Sequence, residues 1–424
     1  MLSKRRWTTT GAGAAAAVLV LVTGWQASAA DERTPERGLY QVRGADTAAA
    51  RTDVDRAGVD VLGVRDGGME VVASPEQAAG LRGQGLTLTL QGDWDALLAA
   101  RGGGLSRTAA ADFPAGDEGY HTYAEMVAAL RETASAHPEI AAVSSIGSSH
   151  EGRDIPIIKI SDNVASDEDE PEVLFTCNMH AREHLTTEMC LRIVERFTAG
   201  YGSDAGVTAA VDAKEIWVVP SQNPDGAEFD IAGGEYAGWR KNRQPNSDGS
   251  VGTDTNRNFD YKWGCCGGSS TSPSSETYRG PSAASAPEVR AVQDFVGSRV
   301  VGGTQQIKGH IDFHTFSELV LWPFGHTYDT VTDGMTAEEY ARFESVGEEM
   351  AASNGYTGQQ SSALYVTDGS ISDWMWGEHK ILSYCFEMYP AGGGIDGFYP
   401  PDEQIVPQTT RNDGAVDILI ANAT

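Results

Sequence analysis

The sequence predicts an α/β domain with a mixed, largely parallel twisted sheet covered by helices on both faces, preceded by a small α+β unit. Three observations predict it. Residues 155–160, 173–177, 216–219, 307–313, 318–322 and 381–388 form short, nearly continuous apolar runs, the pattern of strands buried on both faces. Helix-start signals fall among them, at Thr122-Tyr123-Ala124-Glu125, a capping box whose helix must end near Pro138, and at Ser285-Ala286-Pro287-Glu288. A glycine- and arginine-rich break at residues 101–107 divides these elements from an earlier stretch with signals of its own. Strand runs alternating with helices argue for layered α/β packing.

Taken in chain order, residues 1–30 read as a signal peptide. Lys4, Arg5 and Arg6 precede an apolar run over 11–25 that is too short to span a bilayer, and Ala27-Ser28-Ala29-Ala30 supplies small residues for cleavage. Residues 31–111 form the α+β unit, with strand-like patches at 59–62, 69–72 and 86–90 and a helix start at Ser74-Pro75-Glu76. The break at 101–107 is flexible and basic, a natural protease target, so 31–111 is expected to be a propeptide released near Asp112. Residues 112–424 then make the main domain.

The formal charge of -29, from 60 acids against 31 bases, excludes nucleic acid and anionic membrane as partners because like charges repel. Five cysteines in an exported chain allow at most two disulfides and one spare thiol. Cys265 and Cys266 are adjacent, and such neighbours rarely bond to each other, so partners elsewhere are expected for one or both. Cys177, Cys190 and Cys385 sit in apolar stretches where packing alone accounts for them.

The chemistry concentrates after the run over 173–177. In Asn178-Met179-His180-Ala181-Arg182-Glu183-His184, a strand ends and a loop carries His180 and Glu183 three positions apart, letting an imidazole nitrogen and a carboxylate oxygen point at one zinc ion. Alone the pair is weak. His314 follows the run over 307–313, where an α/β sheet presents the carboxyl ends of its strands; His310, His184 and His326 compete, but His310 lies inside the run and His326 in a glycine-bordered loop. Three protein ligands leave a fourth position open, as in a catalytic zinc site. Asp254 is the candidate to orient His180 from behind.

With Trp239-Arg240-Lys241-Asn242-Arg243, Asp254-Thr255-Asn256-Arg257-Asn258, His314-Thr315-Phe316 and Cys385-Phe386-Glu387-Met388 added, residues 112–424 resemble the zinc carboxypeptidases of the pancreatic carboxypeptidase A type. Lys262-Trp263-Gly264-Cys265-Cys266-Gly267-Gly268 and Tyr278-Arg279-Gly280 look especially like bacterial carboxypeptidase T. The resemblance implies a metallocarboxypeptidase that removes C-terminal residues from peptides and proteins with a free C-terminus, a zinc-bound water attacking with Glu387 as general base; with the signal peptide it is expected to be secreted, and it is expected to be a monomer. It implies that Arg240 stabilises the oxyanion and that Asn256 and Arg257 grip the terminal carboxylate, for which a guanidinium fork is suited. It makes Tyr365 the mobile residue closing over substrate and Arg182 a contact to the substrate backbone.

The position that sets side-chain preference in this family falls on Ser372, neither apolar nor acidic, and Ser370 stands where carboxypeptidase T carries an acid, so hydrophobic and aromatic C-terminal residues are expected. Whether Asp368 faces that pocket is open. The acidic stretch over 162–172, with Asp162, Asp167, Glu168, Asp169, Glu170 and Glu172, reads first as a solvated face. It also resembles the calcium loop of carboxypeptidase T, with Glu125 on another such position, and hard oxygen ligands suit calcium. Rival readings are a zinc deacylase acting on N-acyl amino acids, a binding module without catalysis, and a calcium-binding structural protein.

Overall fold

The computed structural model describes residues 35–65, 67–102, 112–332 and 334–424, all within one compact unit, Pro35–Thr424. The expected signal peptide and most of the break, residues 103–111, lie outside the described residues. Among the described residues no helix is long and apolar enough to cross a membrane.

The N-terminal part is an antiparallel sheet of β1 Gly38–Arg43, β2 Asp60–Arg65, β3 Gly68–Ala73 and β4 Thr87–Asp93 in the order β2-β3-β1-β4, with helices α1 Ala48–Arg56, α2 Pro75–Gly83 and α3 Trp94–Gly102. Ser74 opens α2 with a capping box, its hydroxyl accepting from Gln77 N while the Gln77 side chain accepts from Ser74 N. β1 carries none of the expected runs, because only Leu39, Tyr40 and Val42 mark it.

The main sheet has eight strands: β5 Ala141–Ser148, β6 Asp154–Ile160, β7 Glu172–Cys177, β8 Glu215–Val219, β11 Ile307–Thr315, β12 Leu319–Trp322, β13 Thr357–Gln360 and β14 Leu382–Met388, the labels between belonging to a two-stranded ribbon of β9 Val300–Val301 and β10 Thr304–Gln305. Their order is β13-β12-β14-β11-β7-β8-β6-β5. The centre, β14-β11-β7-β8, is parallel, and antiparallel pairings flank it. Alternate residues of β7 feed two cores. Val173 and Phe175 pack with Ile193 and Phe197 of α5 Leu185–Gly200, whereas Leu174 packs with Val289 and Val292 of α8 Pro287–Ser298 and with Met375 of α10 Ile371–His379. Strands covered on both faces need no polar alternate, and the six apolar runs each become a strand. The polar edge strands β5 and β13 were invisible to that criterion because each has a neighbour on one side alone.

The helix α4 Tyr123–Ala136 begins with the expected capping box and stops before Pro138. Ser285 does not cap α8: Ala286 holds that position without a side-chain bond, and the Ser285 hydroxyl accepts from Asn258 Nδ2 at 3.0 Å. The cysteine expectation is corrected twice. Cys265 and Cys266 bond to each other, and Cys177 bonds to Cys190, leaving Cys385 as the free thiol.

Candidate metal centre and active site

The site forms where three parallel strands end side by side. β7 runs straight into the loop carrying His180 and Glu183, β11 carries His314 one residue before its end, and the β11–β14 register sets His314 beside Glu387. The loop is fixed by its first residue. Asn178 has a left-handed backbone, φ 52°. Its amide donates to Thr186 Oγ1 at 2.9 Å, and its side chain donates to the carbonyls of His180 and Ala181 at 3.3 Å. The Cys177–Cys190 disulfide ties both ends of this segment together.

His180 Nδ1 lies 3.0 Å from Glu183 Oε1, His314 Nδ1 lies 2.9 Å from Glu183 Oε2, and the two Nδ1 atoms are 3.0 Å apart. All three side chains are buried. Behind them, His180 Nε2 donates to Asp254 Oδ1 at 3.2 Å and His314 Nε2 to Asp312 Oδ2 at 2.5 Å. Each imidazole thus turns its Nδ1 lone pair toward a common point while a buried carboxylate holds the other nitrogen, the arrangement that orients zinc-ligating histidines. Two imidazoles and one carboxylate are the donor set zinc takes in open catalytic sites, so the residues fit the ion.

The electrostatics agree. Burial opposes the charge on Glu183 and Asp254, yet attraction to adjoining groups holds both carboxyls below their usual range: His180 and His314 for Glu183, Arg240 and His180 for Asp254. Burial pushes Glu387 up to about 8, against the pull of His314 and with a push from Glu183. A cation bound at Glu183 would bring it down. The competing histidines have other partners: His310 bonds Thr176 and Ser383 and falls to about 4 through burial, and His184 and His326 bond Asp230 and Asp373.

Arg240 Nη2 and Nε donate to Asp254 Oδ2 at 2.9 and 3.3 Å. Asn256 and Arg257 sit on a single 3-10 turn opened by Asp254, whose Oδ1 accepts from Asn256 N. Arg257 Nε donates to Gly268 O and Nη1 to Asn256 O, both at 2.9 Å; among the described residues Nη2 makes no hydrogen bond. Asn256 Oδ1 accepts from Ile371 N at 3.0 Å. Ser370 caps α10, and Ser372 is buried with its hydroxyl unpartnered. One cavity is lined by His180, Glu183, Arg240, Arg257, Tyr365, Ser370, Ser372 and Glu387, and its remaining wall includes Val61, Leu62, Gly63 and Val64 of β2. Arg182 does not open into it. Both terminal nitrogens of Arg182 donate to Asp60 of β2, at 2.6 and 2.8 Å, and its guanidinium lies over the Phe398 ring. Tyr365 packs against the core of the N-terminal sheet.

Residues 126–413 match the zinc carboxypeptidase family. A zinc carboxypeptidase of Saccharothrix mutabilis subsp. capreolus is 50% identical over 430 residues, covering 99% of this chain and 96% of its own. The chain belongs to the zinc carboxypeptidase family. Carboxypeptidase A1 of Bos taurus is 32% identical over 291 residues, 68% of this chain and 66% of the bovine one. The crystal structure of carboxypeptidase A from Helicoverpa armigera shares the fold, with a TM-score of 0.73 at 23% identity over 92% of this chain and 98% of that one. These findings bear out the carboxypeptidase A kinship; the nearer likeness to carboxypeptidase T rests on motifs alone.

Sequence reasoning about this zinc carboxypeptidase missed two residues. Asp312 stands two positions before His314, on the same face of β11, and that spacing was the available signal. Asp60 had none, since its partner lies 122 residues away. The acidic stretch separates into two groups. Asp162, Glu168 and Glu170 place carboxylate oxygens within 4.8 Å of one another. Glu172 and Asp167 instead meet Arg299 at 2.5 and 2.6 Å, beside Glu215, which also takes Lys159. Carboxylate oxygens of Asp167, Glu172 and Glu215 also lie within 4.8 Å of one another, with Arg299 and Lys159 beside them. Asp169 is exposed, and Glu125 closes the cap of α4, accepting from Thr122 N and Oγ1.

Proposed function

We propose that the chain is a secreted precursor whose mature part, residues 112–424, hydrolyses the C-terminal peptide bond of peptides and proteins, preferring hydrophobic or aromatic C-terminal residues. The observation that carries this is the convergence on one cavity of His180 and Glu183, which His314 meets from behind the wall, of the raised carboxyl of Glu387 and of the half-satisfied guanidinium of Arg257. Zinc, when bound, lowers the pKa of water and polarises a carbonyl. Glu387 takes the proton from the attacking water and delivers it to the departing amine nitrogen as the carbon–nitrogen bond breaks. Arg240, anchored by Asp254, opposes the negative charge that develops on the carbonyl oxygen. Arg257 Nη2 and the Asn256 side chain receive the terminal carboxylate, and Tyr365 closes over it.

The wall formed by Ser370, Ser372, Thr367, Leu321 and Cys385 presents no cation-binding acid, which supports the preference for uncharged side chains. Asp368 is absent from this lining and turns toward residues 266–269. The N-terminal unit acts as a propeptide: β2 roofs the cavity, Asp60 occupies Arg182 and the unit's core holds Tyr365, so the substrate path stays closed until it leaves. The Asp162-Glu168-Glu170 cluster takes a structural calcium, supported by the unpartnered Oε2 atoms of Glu168 and Glu170.

The test is release of phenylalanine from a blocked dipeptide by the matured protein, with zinc chelation and zinc add-back. Chelator-sensitive release restored by zinc is expected. Hydrolysis of N-acyl amino acids without peptide cleavage would transfer the site to the deacylase reading, and a higher specificity constant for C-terminal Lys than for Phe would refute the preference.

A further inference from the structure

Asp368 is a fully buried carboxylate with no ion pair to any cation among the described residues. A charge in that position is costly unless its hydrogen bonds are well met. Its partners are neutral and belong to one short segment. Oδ2 accepts from Cys266 N at 3.1 Å and from Gly268 N at 2.9 Å, while Oδ1 accepts from the Ser269 hydroxyl. The carbonyl of Gly268 in turn accepts from Arg257 Nε at 2.9 Å.

The segments are pressed together at glycines. A Cβ on Gly268 would lie 2.5 Å from Thr367 Cα and from Val366 O, and one on Gly369, which has φ +67°, would lie 2.6 Å from the Arg257 carbonyl oxygen. The Cys265–Cys266 disulfide closes the near end of the same segment. Asp368 therefore joins three stretches: 365–370, which carries Tyr365 and Ser370; 266–269; and the turn bearing Arg257. It touches neither the cavity nor the metal group.

We propose that Asp368 is the positioning residue for recognition of the substrate's terminal carboxylate, aiming Arg257 by fixing the Gly268 carbonyl that holds its Nε. With Nε and Nη1 both committed to backbone carbonyls, the direction of Nη2 is decided by where those carbonyls sit. This rests on the reading of Arg257 as the carboxylate's partner. Removing the carboxylate leaves the buried Gly268 amide and the part-buried Cys266 amide unpaired and frees the Gly268 carbonyl to drift.

The experiment compares Asp368→Ala, Asp368→Asn and Arg257→Ala in the matured, zinc-loaded enzyme, using a blocked dipeptide ending in free Phe and its amide. For Asp368→Ala the expected result is a KM for the free acid raised about tenfold, with kcat nearly unchanged, and a free-acid-over-amide preference reduced by the same factor. Asp368→Asn, whose oxygen still accepts both amides while its nitrogen donates to Ser269, restores the preference. The ratio does not depend on the fraction of folded enzyme; should Asp368→Ala not accumulate, Asp368→Ser is read by the same ratio. An unchanged ratio in the Asp368 variant, with Arg257→Ala losing it, overturns the proposal. An unchanged ratio in Arg257→Ala as well overturns the reading of Arg257 itself.

Discussion

Replacing Asp60 with alanine should switch on the intact precursor. On the proposed reading of the N-terminal unit as a cover, the contact to break is the one in which both Arg182 terminal nitrogens end on the Asp60 carboxylate, at 2.6 and 2.8 Å, the arginine side chain 1% exposed against 12% for Asp60. Burial would raise the Asp60 carboxyl, but Arg182 more than offsets this and holds it below its ordinary value. Taking one partner from a buried pair costs about 3–5 kcal/mol, since the other charge is left without compensation. Opening restores water to Arg182, so the cost falls on the closed state alone. Allowing for the hydration that Asp60 itself regains on opening, a shift of about 3 kcal/mol raises the open population about a hundredfold. The assay is release of Phe from the blocked dipeptide by uncleaved precursor, checked for intact length before and after. Asp95→Ala is the control, because Asp95 pairs with Arg37 where both are about half exposed, and such pairs contribute little. An Asp60→Ala precursor no more active than Asp95→Ala, each cleaving normally after maturation, would refute the idea that this pair helps to hold the cavity shut.

The same cover should loosen as pH rises, through a different carboxyl. Asp55 of α1 is buried with Oδ1 unpartnered, and burial raises it to about 7 despite Arg257 and Arg240 nearby. A raised pKa favours closure fully below the free value of 3.8, and that contribution is lost as pH climbs through 7; precursor activity should increase across that window, and Asp55→Asn should flatten the profile. Glu387→Gln should lower kcat by about 10²–10⁴-fold, the usual contribution of a general acid–base group, while zinc content by atomic absorption stays that of wild type; near-normal turnover would remove Glu387 from its role. Chelation of calcium that spares zinc should lower the melting temperature, by about 2.7 kcal/mol of stability if the ion is held at a hundred times its Kd. Glu168→Gln/Glu170→Gln should erase that difference, and an unchanged melting temperature on chelation would dismiss the ion.

What the sequence disclosed, and what it withheld, divides by the range of the interaction. The six apolar runs became strands because burial on both faces is a property of each run by itself, and Thr122 and Ser74 capped their helices because a capping box closes within four residues. His180, Glu183 and His314 were legible through spacing and through position at strand ends. Partnerships across the fold were not. Nothing local distinguishes Glu172, which meets Arg299, from Glu168, which does not, and nothing near Asp60 announces Arg182. The adjacent cysteines misled for the opposite reason: a general rule against bonding between neighbours does not hold for this pair, which follows a turn closed by Cys265 N on Lys262 O.

Asp254 shows why the motifs of such a site occur together. Its Oδ1 accepts from His180 Nε2 and from Asn256 N, and its Oδ2 accepts from Arg240. One carboxylate thereby holds the His180 imidazole, anchors the Arg240 guanidinium and opens the turn that carries Arg257. Groups sharing a partner respond as a unit, so their losses do not add. Arg240→Ala and Asp254→Asn should each reduce kcat/KM severely, and the double variant should lose far less than the product of the two. Strict multiplication would mean that Asp254 acts on His180 and Asn256 alone, and that Arg240 keeps its place beside the metal group without it.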